Sequence, residues 1–361
     1  MKNHITDLKI ENFKSIKKAE LDCRRINLIV GKPNVGKSNL LEGISMLGDY
    51  HHTQDKAFKE VIRYNKYREL FYDTNFNDSI EINTNIGNVY CKKSNVRGTY
   101  TLIITTDESF KDNLNLLPES FQNYAKDKEI KNDSGIDHIY LTLDDSGKTL
   151  DNFHKFSEPQ NPIKKYIFKQ LGDKSVNSNS FGGHLSSPFG GNLFAIIESY
   201  PELRKAIAEK FKEYGLELLL DVSNETLEIQ KRVNDYVYKI PFNLMADTLQ
   251  RMIFNYAAIE SNKDSILLFE EPETHSFPPY VYELAQKIVY DENQNQYFIT
   301  THSPFLFNTI VQEAKPEELS VFIATYQDYQ THFQRLSEDD LAELLNYGID
   351  IFFNQKYFTN E

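Results

Sequence analysis

Residues 26–41 read INLIVGKPNVGKSNLL. Ile26 to Val30 form a short, nearly continuous apolar run of the length a buried strand needs, and from Lys37 the pattern changes. Leu40, Leu41, Ile44 and Leu47 then recur at helical spacing. Between the two lies Gly31-Lys32-Pro33-Asn34-Val35-Gly36-Lys37-Ser38, a complete G-x-x-x-x-G-K-S. The spacing has a mechanical reason. A loop that wraps a polyphosphate with its own N–H groups needs glycine at its ends. Lys37 then reaches the β- and γ-phosphates, Ser38 binds Mg²⁺, and the following helix points its positive end at the anion. Lys32, Pro33, Asn34 and Val35 make up the rest of the cradle.

A second stretch, ILLFEEPETHSFP at 266–278, poses a problem of charge. Its apolar run ends on Glu270, Glu271 and Glu273, three carboxylates in four positions. Beside a phosphate loop, a magnesium nucleotide site supplies the missing counter-charge. Glu270 takes the position that binds Mg²⁺ through water, and Glu271 that of the base polarising the attacking water. A third apolar run, QYFITTHSPFLF at 296–307, carries His302 at its tip. It lies one strand–helix unit further on, so its tip falls at the same sheet edge. Thr301 and His302 are thereby placed to sense the γ-phosphate.

Composition narrows the setting. The 361 residues, 40% hydrophobic and 26% charged, suit one large globular domain or two ordinary ones. The net charge of −13 disfavours a dedicated DNA-binding role, although nine Lys/Arg against four Asp/Glu in residues 1–40 leave a local basic region for an anionic ligand. Two cysteines, Cys23 and Cys91, form neither a disulfide framework nor a zinc pattern. No signal-peptide region and no run near the ~18 residues of a membrane span are present, so a cytoplasmic location without membrane contact is expected.

Along the chain, HITDLKIENF, KKAELDC and RINLIVG read as strands, as do SIEINTNI, NVYCKK, GTYTLIITT and IDHIYLTLD. DESFKDNLNLLPESFQNYAKDKE (107–129) reads as a helix and NSNSFGGHLSSPFGG (177–191) as a loop. From 193 onward helices and strands alternate, which implies a parallel sheet with helices on its faces. The division expected is an N-terminal lobe over 1–106, an insertion or lid over 107–190, and a C-terminal lobe over 191–361.

The order IENFKSI…GKPNVGKSNLLEGI…LMADTLQR…ILLFEEPETHSFP…FITTHSPFLF resembles the AAA-type ATPases of the OLD and RecF kind, within the ABC/SMC class. The resemblance covers roughly 1–48 and 193–310. It implies an α/β fold: a P-loop head of the ABC type with a mixed parallel and antiparallel sheet, flanking helices and an α+β insertion. It implies that Gly31, Gly36, Lys37 and Ser38 bind phosphate and Mg²⁺, with Asn39 the family's usual next residue. Glu270 takes the Walker B metal position, Glu271 is the catalytic carboxylate and His302 the switch histidine. Such heads hold the nucleotide between two copies, each lending a signature loop. The matching stretch here is Leu244 to Arg251, with Asp247 and Thr248 at the nucleotide. Two departures stand out: Glu270 replaces the usual Asp, and the signature stretch contains no glycine.

ATP is preferred to GTP, because SNKDS at 261–265 places Asp264 directly after Lys263 and so fails Asn-Lys-x-Asp. No nuclease pattern follows His302. The resemblance then implies a Mg-dependent ATPase that assembles with itself as an ATP-sandwich dimer or higher oligomer. It would serve as sensor or scaffold of a bacterial antiviral defence system, controlling a separate effector such as a nuclease. Two alternatives are a RecF-like ATPase acting on DNA and a weakly hydrolysing scaffold.

Overall fold

Strand alternation sorts the apolar residues into two cores, one on each face of a single sheet. Ile26, Leu28 and Val30 of β3 (Ile26–Val30) enter one core, and Ile29 enters the other. The same division splits Leu267 and Phe269 from Leu268 in β13 (Ile266–Glu270), and Ile299 from Phe298 in β14 (Gln296–Thr300). Successive side chains of a strand point to opposite faces, so runs this continuously apolar require cover on both. Each fully buried Leu or Phe here contributes about 1.5–3 kcal/mol.

The computed structural model describes residues 3–48, 56–106, 138–155, 162–170 and 183–359. The fold is α/β, with three sheets among the described residues. The central one has six strands in the order β16-β15-β3-β14-β13-β9, where β9 is Ile163–Tyr166, β15 Leu319–Gln327 and β16 Gln330–Arg335. All neighbours are parallel except β16, which turns back on β15 as a hairpin.

One face of this sheet is covered by α1 (Lys37–Ser45) and a seven-stranded antiparallel sheet. That sheet comprises β1 (Asp7–Phe13), β2 (Ile16–Asp22), β4 (Ile80–Thr84), β5 (Gly87–Lys93), β6 (Thr99–Thr105), β7 (His138–Asp144) and β8 (Thr149–Lys155). The other face is covered by helices α2 (Leu193–Ser199), α3 (Pro201–Lys212), α4 (Asp247–Ser261), α5 (Pro278–Val289) and α6 (Pro304–Glu313). A further helix, α7 (Glu338–Tyr347), opens with a capping box between Ser337 and Asp340, as its first-turn acids predict.

Several elements were not foreseen. Residues 217–241 form a separate antiparallel sheet of β10 (Glu217–Asp221), β11 (Thr226–Val233) and β12 (Tyr236–Pro241). β12 is exposed along most of its length, so its sequence lacks the alternation that marks a half-buried strand. β8 closes the edge of the antiparallel sheet, and β9 carries two adjacent lysines, Lys164 and Lys165, where a buried strand would show apolar residues. Residues 138–155, within the stretch read as an insertion, pair with β6 and so continue the sheet begun by β1 and β2. The helix expected over 107–129 lies outside the described residues.

Candidate functional site

Because β3, β13 and β14 run parallel and in register, their C-terminal ends lie side by side. Thr300 stands opposite both Glu270 and Ile29. The loops after these strands, 31–36, 271–277 and 301–303, therefore converge at one sheet edge, the place where parallel α/β sheets hold ligands.

The phosphate loop needs its glycines. Gly31 has φ 152° and an added Cβ would come within 2.4 Å of the Ala324 carbonyl oxygen, while Gly36 has φ 92° and would overlap the hydroxyls of Thr331 and Ser15. Those two hydroxyls brace the loop from outside. Ser15 Oγ and Thr331 Oγ1 lie 2.6 Å apart, Thr331 donates to the Val35 carbonyl at 2.7 Å, and Asn39 donates to Ser15 Oγ at 2.7 Å. Asn39 thus secures the loop to the β1–β2 hairpin.

Lys37 is 5% exposed and its ammonium is fully engaged. It donates to the carbonyls of Gly31 and Lys32 and lies the same 2.9 Å from His302 Nε2. An ammonium has only protons to offer, so Nε2 is the accepting nitrogen. Burial lowers the Lys37 pKa to about 8 against the opposing pull of Glu271 and Glu270. Burial and then Lys37 hold the His302 pKa below its ordinary value.

The three crowded carboxylates find three different environments. Glu270 Oε1 accepts from the Ser38 hydroxyl and from Arg63 Nη2 at 3.1 Å, and Oε2 lies 3.6 Å from Lys165 Nζ. Burial pushes its pKa up, but Lys165, Ser38 and Arg63 together bring it below the usual range. Glu271, with 40% of its side chain exposed, approaches His302 Nε2 at 3.4 Å. It adopts φ 47°, a left-handed conformation that costs about 1–2 kcal/mol outside glycine, and its N–H donates to the Thr300 carbonyl at 2.9 Å. Glu273 is turned inward. It accepts from Thr301 Oγ1 at 2.6 Å and from the His302 N–H at 3.1 Å, and burial raises its pKa.

Sequence reasoning did not assign Glu273 a role and missed the cations around Glu270. Glu42 of α1, fully buried, pairs with Lys14 and with Arg63 Nε at 2.8 Å, while Lys14 also donates to the Arg63 carbonyl at 2.6 Å. Arg63 and Lys165 come from a Tyr/Arg-rich segment and a lysine-bearing strand that no spacing rule links to the phosphate loop. Only the fold brings them together.

Asp247 and Thr248 are held elsewhere. Ala246 is the N-cap of α4, without a side-chain cap, so neither of the two residues caps the helix. Asp247 pairs with Arg251 at 2.6 Å, and Thr248 donates to the His275 carbonyl at 2.7 Å. Their partners lie on α4 and the turn after β13, not on the phosphate loop. The neighbouring Leu244 is 71% exposed and Phe277 56%.

A hydroxyl and a carboxylate already in contact, Ser38 and Glu270, form the hard-oxygen pair that suits Mg²⁺, which keeps several waters and takes few protein ligands. Among the described residues no larger cluster of metal-binding side chains is present, and no helix is long and apolar enough to cross a membrane.

Several known proteins are similar to this chain. The DNA replication and repair protein RecF of Caldanaerobacter subterraneus subsp. tengcongensis is 25% identical over 63% of this chain, and the match spans 61% of that protein's length. An ATP/GTP phosphatase of Helicobacter pylori is 22% identical over 99% of this chain and 98% of its own. An Smc head domain bound to the C-winged helix domain of ScpA shares the fold, with a TM-score of 0.51, 14% identity, and coverage of 94% of this chain and 99% of that one. The family described as "AAA domain, putative AbiEii toxin, Type IV TA system" matches residues 26–308. The chain belongs to this AAA-domain family and shares the fold of an Smc head domain.

Proposed function

We propose that the chain binds ATP with magnesium, hydrolyses it, and assembles with itself in doing so. The observation that carries this reading is the meeting of Lys37, Glu271 and His302 at one strand edge, with Ser38 and Glu270 in contact beside them. The Lys37 protons are spent on two carbonyls and His302, acceptors that phosphate oxygens of ATP would replace. Glu271 accepts a proton from the attacking water, and His302, held neutral on the accepting side, faces the γ-phosphate. Ser38 and Glu270 would hold the magnesium, which supplies charge neutralisation along the phosphates.

The second half of the site comes from another copy. Leu244 is exposed, Asp247 pairs within its own helix and Thr248 bonds to the adjacent turn, and a signature loop so placed serves a facing head. Asp247 and Thr248 then meet the nucleotide across the dimer. In the cell the role is that of a cytoplasmic sensor or scaffold in a bacterial defence system of the OLD kind, restraining or releasing a separate effector such as a nuclease. Membership of a family whose description names a putative toxin of a Type IV TA system supports a two-component arrangement.

Similarity to RecF supports a second reading, a DNA-repair ATPase, and the net charge of −13 weighs against it. The deciding experiment measures phosphate release at increasing protein concentration, with and without duplex DNA. The self-assembly reading expects specific activity to rise with concentration and to ignore DNA. Salt-sensitive stimulation by DNA would favour the repair reading.

A further inference from the structure

β9 places two lysines in succession, and their side chains leave the strand on opposite faces. Lys164 finds neutral oxygens only, Asn262 Oδ1 at 2.6 Å and Ser265 Oγ at 3.4 Å. Lys165 enters the face covered by α1 and is 1% exposed. It donates to the Val61 carbonyl at 2.9 Å, and its ammonium lies 3.6 Å from Glu270 Oε2. Register explains the reach: Lys165 stands opposite Leu268, two residues before Glu270, so its four-carbon stem runs along the strand direction to the carboxylate.

Glu270 is therefore shared between two elements. Oε1 takes the Ser38 hydroxyl of α1, and Oε2 faces Lys165 of β9. The families this chain resembles usually place Asp here. Shortening the side chain withdraws the carboxylate by about 1.5 Å, one carbon–carbon bond, so an aspartate would keep one contact and lose the other. A cation this deeply buried cannot swing out to water without leaving the Val61 carbonyl unpaired and Glu270 Oε2 without its cation. The Val61 bond also fastens the segment that carries Arg63, the other cation on Glu270.

We infer that Lys165 is a positioning residue for Glu270, and that the Lys165–Glu270 pair stands as one unit in place of the aspartate of related sites. The inference deepens the reading of Glu270 as a magnesium-side carboxylate and rests on it. Its consequence is a specific non-additivity: aspartate is harmful at 270 because Lys165 is present.

The test is a double-mutant cycle on the full chain: wild type, Glu270→Asp, Lys165→Met and the double variant. A parallel cycle uses Lys165→Gln, which keeps a donor for the Val61 carbonyl and guards against a Met variant that does not fold. The readout is Mn²⁺ affinity by electron paramagnetic resonance with a non-hydrolysable ATP analogue, so no turnover is needed. Glu270→Asp is expected to weaken Mn²⁺ roughly tenfold in the wild-type background and no more than about threefold once Lys165 is Met or Gln. Equal loss in both backgrounds overturns the inference while leaving the metal reading intact. If wild type itself binds no Mn²⁺ with the analogue, the metal reading fails first and this inference with it.

Discussion

The proposed nucleotide site draws on the phosphate loop and the 244–248 stretch, yet the fold treats them in opposite ways. Lys37 is buried and triply engaged, its loop braced by Ser15 and Thr331. Leu244 is mostly exposed, and Asp247 and Thr248 bond only to their own helix and the adjacent turn. One half is buried and braced within the chain, whereas the other carries an exposed Leu244 and holds its bonds away from the phosphate loop. A half-site of each kind on one molecule is self-complementary under a two-fold axis, which is why the assembly reading follows from the contrast rather than from either half alone.

The largest effect should come from the inner half. Glu271→Gln removes the proton acceptor while leaving the strand end intact. Phosphate release should fall roughly 10²–10⁴-fold with ATP still bound, checked by single-turnover assay and equilibrium binding. Lys37→Ala should weaken ATP itself by about 10²–10³-fold in a calorimetric titration, since a buried cation aimed at phosphate is lost. In the outer half, Thr248→Arg should leave ATP affinity of the isolated chain within about twofold and lower turnover by about tenfold, because the misplaced group faces the partner's nucleotide. Equal damage to binding and turnover would erase the distinction between the halves.

Two smaller effects probe the inner half's electrostatics. The pKa of Lys37 is lowered to about 8 by burial in the free protein, and phosphate favours its charged form. ATP affinity should therefore be flat below pH 7 and weaken above pH 8, by at most about tenfold per pH unit. The smallest concerns stability. Burial raises the Glu273 pKa, so its contribution is fully present below the ordinary carboxylate pKa and is lost as pH rises through the raised value. Glu273→Gln should raise the melting temperature at pH 7.5 by about 2–4 °C for each kcal/mol recovered, and by less at pH 4.5.

What the sequence disclosed follows the same inner and outer division. The strand–loop–helix at 26–45, the acid-ending strand at 266–270 and the strand before His302 were legible because each motif is local and its chemistry fixes its spacing. The cations around Glu270 were not. Arg63 and Lys165 lie 102 residues apart in sequence, and only sheet pairing and the packing of α1 bring them to Glu270. Glu273 was visible as a charge, but its inward turn depends on a left-handed residue at 271 that no pattern predicts. The β10–β12 sheet escaped for a different reason. Its outer strand buries almost nothing, so the periodicity that signals a strand is absent.

The central claim is that ATP completes a site between two copies. Its most direct test is the mass by light scattering of Glu271→Gln with and without Mg·ATP, alongside Lys37→Ala. Glu271→Gln should double its mass, or more, only when Mg·ATP is present, while Lys37→Ala keeps its starting mass. An unchanged mass for Glu271→Gln under conditions where ATP binding is demonstrated would contradict it.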